Sequence, residues 1–238
     1  MNLENIKPGP SFKPWGVRAL KAGAKTQTRR KVPLPPCEYP YAFYGRADED
    51  IAEKREDVEP GDWLWGEADY PDEGTFVLNP NYQPGEIYYV REPLEKTIEP
   101  NPRKADPDYE GPSEVPMPQY VADGTTLIGP WQWEHDNLPA IFMPGEAARL
   151  FVRITDVWHE PFGKISPEDA IAEGVEYHPG WDNTPDLRDR YSLVDADKYF
   201  NEIIMPGIHG DDLPEHLVAY EFEVLTRDEV VDREARDE

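Results

Sequence analysis

Proline occurs 27 times in this chain of 238 residues, beside 17 glycines, and no other feature limits its architecture as strongly. Each proline removes a backbone donor, and glycine weakens regular elements from within. Long helices are therefore not expected to dominate. Seven Trp and thirteen Tyr nevertheless supply enough large side chains for a core, so low mean hydropathy does not imply disorder. The composition predicts one core carrying extended loop insertions.

Charge is the second constraint. Asp and Glu number 49 against 24 Lys and Arg, a formal charge of -25. Such a surface repels phosphate backbones unless positive charge is gathered locally, and it suits high salt, where screening relieves self-repulsion. Positive charge is gathered in one place. From Asn5 to Cys37 there is no acidic residue, yet Lys7, Lys13, Arg18, Lys21, Lys25, Arg29, Arg30 and Lys31 lie there. The single cysteine, Cys37, excludes an intramolecular disulfide framework and a Cys-rich zinc site. With no apolar run near the roughly 18 residues of a membrane span, the chain reads as a cytoplasmic protein without a membrane partner.

Val17 to Ala22 reads as a short helix ended by Gly23, with Trp15 and Leu20 as core contacts, and the Lys25 to Arg30 stretch begins a loop or strand. Pro33 to Pro40 is a proline-dense connection, and 47–60 holds a short charged surface helix. Strands are expected at Asp62 to Trp65, at Glu86 to Val90 after the Pro84-Gly85 turn, at Thr125 to Ile128, and at Ala148 to Trp158. In the last of these, Leu150, Val152 and Ile154 alternate with Phe151, Arg153 and Thr155, one core face against one mixed face. Pro93 to Pro118 reads as an exposed insertion with little to bury. Ser166-Pro167-Glu168-Asp169 starts a helix that Gly174 stops, Asp195 to Met205 reads as another helix, and Leu217 to Leu225 as a closing strand.

An amine, a hydroxyl three residues on and two guanidiniums form a plausible anion or nucleotide site. Lys25 would act as a base if burial, Arg29 and Arg30 depress its pKa, and Thr28 is then the candidate nucleophile. The alternative is a solvated basic loop. Arg91 and Glu92 read either as an ion pair at a strand end or, through Arg91, as a phosphate contact. Trp63, Trp65, Trp131 and Trp133 read either as core or as a base-stacking platform. His135, His159, His178, His209 and His216 lack metal-ligand spacing, so neither a metal nor another cofactor is expected.

The stretch Ala24-Lys25-Thr26-Gln27-Thr28-Arg29-Arg30 resembles the Gly-Arg-Lys-Thr-x-Thr-x-Arg signature of the ASCH domain family. Further segments follow in that family's order: Pro84 to Glu92, Pro139 to Pro144 with Ala148-Arg149, Asp169 to Val175, and Ala219 to Phe222. They are similar to phage- and prophage-encoded members. The resemblance implies an α+β, PUA-like fold, a small β-barrel with flanking helices and long loop insertions. One such domain would span residues 1–225, with Pro-rich insertions at about 33–60 and 93–118 and a charged tail at 226–238.

It also implies a ligand, RNA or a modified nucleoside or nucleotide, held by Thr26, Arg29, Arg30, Arg91 and Glu92 together with Lys25 and Thr28. A bacterial branch with a similar motif hydrolyses the amide of N4-acetylcytidine, and its working residues map onto Lys25, Thr28 and Glu173. RNA or nucleotide binding is the first expectation and amide hydrolysis the alternative. A virus-encoded structural or morphogenesis protein, with virion proteins as partners, is a third reading drawn from the company phage members keep. Gly145-Glu146 stand where those members carry a cation and an aromatic ring, which favours a small nucleoside over a polyanion.

Overall fold

The computed structural model describes residues 6–34, 41–67, 75–101, 103, 108, 110–127, 129–174 and 215–231. The helix expected over Asp195 to Met205, Cys37, His178 and His209 lie outside them. Within the described residues the chain is mostly strand with few helices. Its centre is a sheet of β1 (Lys7–Ser11), β6 (Ile87–Arg91), β10 (Leu150–Pro161), β11 (His216–Thr226) and β2 (Gln27–Lys31), in that order. The β1–β6 pair is parallel and the other pairs are antiparallel. A second sheet joins β3 (Tyr41–Arg46), β4 (Trp63–Glu67) and β5 (Phe76–Val77). The third orders β8 (Glu114–Tyr120), β7 (Leu94–Pro100) and β9 (Asn137–Leu138). No closed barrel forms among the described strands.

Among the described residues the short helices α1 (Pro14–Lys21), α2 (Glu49–Ala52) and α3 (Pro167–Ala172) flank these sheets. The prolines at the starts of α1 and α3 supply a preset φ where no intrahelical donor is needed. Ser166 caps α3 by accepting a hydrogen bond from the Asp169 N–H, as its sequence predicts. Gly23 and Gly174 take φ of +70° and +85° just past the ends of α1 and α3, a conformation that favours glycine.

β10 is buried on both faces in its first half, which differs from the expected single core face. Val152 and Ile154 join Val17, Leu20, Trp63, Trp65, Tyr88, Val90 and Tyr220 in one apolar cluster. Phe151, from the opposite face, packs with Leu94, Tyr120, Met143, Leu225 and Val230 in another. Trp63 and Trp65 are therefore core residues, while Trp131 and Trp133 are half-buried against the second cluster, rings edge to face. Tyr88 is buried and Tyr89 half-buried, as their alternation suggests.

The 93–118 segment is not a structureless insertion. β7 and β8 pair in register from Leu94↔Tyr120 to Pro100↔Glu114, and Leu94 is fully buried. The prolines fit because Pro116 and Pro118 point their backbone away from β7, and their carbonyls accept from the Trp131 and Leu127 N–H groups. Nothing on that edge required a proline donor. Thr126 forms only an isolated bridge with Gln119 instead of the expected strand. The segment read as a charged tail begins as a helical turn over 227–231, with Val230 buried.

Candidate active site

The site lies where the end of α1, the start of β2 and the end of α3 meet. After Gly23, the Ala24 and Lys25 N–H groups both donate to the Ala19 carbonyl, turning the chain sharply out of α1. Thr26 N–H then donates to Ala172 O, Phe222 N–H donates to Thr26 O, and Lys25 bridges Glu173 as an antiparallel pair. The backbone itself thus places Lys25 beside the C-cap residue of α3.

Side chains complete the contact. Lys25 Nζ donates to Glu173 Oε2 at 2.5 Å and to the Glu173 carbonyl at 2.6 Å, and both residues are buried. An acid at a helix C-terminus opposes the carbonyl dipoles there, and the Lys25 ammonium answers both charges at once. Burial is the largest influence on Lys25 and pulls its pKa below the ordinary lysine value. Glu173 opposes that fall, while Arg30 and Arg29 add to it.

Along β2 the side chains alternate. Thr28 and Arg30 share one face with the cavity, and Thr28 pairs with Tyr220 of β11. The Thr28 hydroxyl makes no hydrogen bond among the described residues. Arg30 donates to Ser11 O at 2.8 Å and lies over the Phe12 ring, 5.1 Å from its centroid. The cavity, about 320 Å³, is lined by Phe12, Trp15, Lys25, Thr28, Arg30 and Glu173, among others. The Lys25 ammonium sits 5.6 Å from the Phe12 ring centroid and 5.8 Å from that of Trp15. Cation–π contact of this kind partly replaces lost hydration.

Arg29 also borders the cavity, yet its guanidinium is already engaged. Nε and Nη2 donate to Glu160 Oε2 at 3.0 and 2.8 Å, Nη1 to Gln27 Oε1 at 3.1 Å and to Glu173 Oε1 at 3.4 Å. Trp158 lies beneath it, 5.9 Å away. Arg29 is therefore a buried hub among carboxylates, with Nε, Nη1 and Nη2 all engaged.

Three further expected ligand contacts fall outside the cavity lining. Thr26 is exposed, its backbone spent on Ala172 and Phe222. Arg91 donates to Gly9 O at 2.8 Å and to Ile141 O at 3.4 Å, tying β1 to the turn at 140–142. Glu92 is fully buried and forms a two-pronged pair with Arg149, at 2.9 and 2.7 Å. Arg91 and Glu92 do not pair with each other, since each has a different structural partner.

Sequence reasoning missed Phe12 and Glu160 and took Trp15 only as core. Trp158 and Glu160 did leave a signal, two positions apart on one strand face at the end of the strongest strand. Among the described residues no group of His, Cys, Asp and Glu is arranged to hold a metal, and no helix is long and apolar enough to cross a membrane.

The class this geometry defines is broad: a β-rich protein of several small sheets with a buried lysine–carboxylate site at a helix end. No family model, curated protein or solved structure matches the chain.

Proposed function

We propose that the chain is an amidohydrolase that removes the acyl group from N4-acylated cytosine nucleosides, with Thr28 as nucleophile, Lys25 as proton acceptor and Glu173 as the group that orients Lys25. The observation that carries this reading is the buried Lys25–Glu173 contact opening on a cavity that Thr28 also lines. Thr28 Oγ attacks the acyl carbon and passes its proton to the Lys25 amine. The bond from that carbon to N4 then breaks, and the Lys25 proton goes to the departing nitrogen. Water releases the acyl group from Thr28 as the free acid.

Burial supports the role of Lys25, because a desolvated amine gives up its proton more readily than an exposed one. Size supports the substrate class. A cavity of about 320 Å³ stands at the small end of ligand pockets, which span roughly 300–1,000 Å³. Phe12 and Trp15 offer apolar surface and Arg30 a cation for an electron-rich edge. RNA binding is the weaker reading, since Arg29 is held by carboxylates and the chain carries a charge of -25. The proposal carries with it membership of the ASCH family, a PUA-like fold and a cytoplasmic place of action. The ASCH motif supports the first two, through the positions of Lys25, Thr28 and Glu173, and the single cysteine supports the third.

A thermal-shift screen of free nucleosides and short RNAs in high salt, with acetyl loss followed by mass, tests the reading. N4-acetylcytidine is expected to raise the melting temperature and lose its acetyl group. Stabilisation by RNA alone, with no acetyl loss, would return the site to a binding role.

A further inference from the structure

The Lys25–Glu173 pair is half of a larger buried arrangement. The two oxygens of Glu173 are divided between two cations: Oε2 takes Lys25 Nζ at 2.5 Å and Oε1 takes Arg29 Nη1 at 3.4 Å. Arg29 is in turn held from β10 by Glu160, whose Oε2 accepts both Nε and Nη2. Asp169 of α3 lies 3.5 Å from Arg29 Nη2 and also accepts from the Ser166 hydroxyl at 2.8 Å. Glu160 Oε1 is buried with no hydrogen-bond partner.

We propose that Arg29, backed by Glu160, is a positioning residue that sets the charge state of Lys25 by competing with it for the Glu173 carboxylate. The inference deepens the role given to Lys25 above, and its consequence for turnover rests on that reading. An isolated buried Lys–Glu pair would favour the charged form of both partners, holding the amine protonated and useless as a base. A second cation on the other oxygen weakens that hold. Its own positive charge also bears on Lys25 directly.

Glu160 tunes the effect in the opposite sense. Its carboxylate offsets the Arg29 charge, so the field of Arg29 at Glu173 and Lys25 is smaller than that of a bare guanidinium. The charged groups facing Lys25 are Glu173 from α3 and Arg29 and Arg30 from β2. Lys13, ahead of α1, lines the same cavity. Those facing Arg29 are Glu160, Asp169 and Glu173. Removing Arg29 or Glu160 therefore moves Lys25 in contrary directions, which loss of structure would not do.

The experiment is a pH titration of Lys25 by ¹³C NMR of the lysine-labelled full chain, the Lys25 signal being assigned by its absence in Lys25→Arg. In Arg29→Met the midpoint is expected to move up by about one pH unit, the usual scale for a nearby charge. In Glu160→Gln it moves down, since the negative charge that offsets Arg29 is lost, while the amide keeps an oxygen for Arg29 and its NH₂ takes the side on which Glu160 Oε1 has no partner. Arg29→Lys, which retains the cation, stays near the parent value. Shifts of the same sign in Arg29→Met and Glu160→Gln, or no shift in Glu160→Gln, would overturn the proposal. Should Arg29→Met fail to fold, the opposed behaviour of Glu160→Gln against the parent and Arg29→Lys still decides it. No substrate is used, so a failure here and a failure to deacylate N4-acetylcytidine are separate results.

Discussion

Lys25 and Glu173 stand 148 positions apart in the chain and meet through both backbone and side chain. The backbone bridge matters as much as the ion pair. It fixes the lysine stem against the end of α3, so that the ammonium has little choice but the carboxylate and carbonyl it finds there.

That junction depends on Gly174. A Cβ at this position would come within 2.8 Å of the Ala19 Cβ and 3.1 Å of the Lys25 Cβ, and φ of +85° already disfavours any side chain. Gly174→Ala is expected to cost about 1–3 kcal/mol in denaturant unfolding. It should also displace Lys25, so that activity falls beyond the loss of folded protein. A variant of parent stability would show that the junction is looser than these distances imply.

Arg149 holds Glu92 with two prongs, pairs with Asp123 at 3.0 Å, and stacks 3.7 Å over the Tyr120 ring. Arg149→Ala strands a fully buried carboxylate and is expected to cost about 3 kcal/mol by urea unfolding. Nucleoside affinity at a stabilising temperature should not change, because neither residue lines the cavity. A selective loss of affinity would restore Glu92 to the ligand site.

His159 and His216 join two sheets. The Tyr41 carbonyl can only accept, so His216 Nε2 donates to it at 2.7 Å, and His216 Nδ1 accepts from His159 Nε2 at 2.9 Å. His159 is pushed down to about 4, by burial first and by His216 second. The unfolded chain, with an imidazole near 6.5, therefore takes up the proton sooner as pH falls. This contribution is complete above about pH 6.5 and is lost as the pH falls toward 4. His159→Gln keeps a donor toward His216 and is expected to flatten the melting temperature between about pH 6.5 and 5, where carboxylates contribute little. An unaltered slope would place the pH dependence elsewhere.

The acidic excess makes a simpler test. With a formal charge of -25, the native state is expected to gain melting temperature as salt screens its self-repulsion. A melting temperature that ignores salt would remove the case for adaptation to high ionic strength.

Local signals carried much of the architecture. The glycine stop of α1, the Ser166 cap, and the presence of strands β10 and β11 were readable because each depends on neighbours in the chain. The meeting of Lys25 with Glu173 was reachable only through a resemblance, since no local rule joins residues so far apart. The β7–β8 hairpin was hidden by its prolines, whose count gives no hint that Pro116 and Pro118 share the edge facing away from β7. Arg29 looked like a free cation because its counter-charges, Glu160 and Glu173, come from two other elements. Glu92 looked like a ligand for the same reason, its partner Arg149 lying 57 positions on.

The most direct measurement is the release of acetate from N4-acetylcytidine by the full chain and by Thr28→Ala, with the fold of the variant checked by its melting curve. The parent protein is expected to release acetate and cytidine in equal amounts, and Thr28→Ala to lose at least on the order of a thousandfold in rate. A folded Thr28→Ala variant that turns over like the parent would contradict the account, as would a parent protein that leaves N4-acetylcytidine intact.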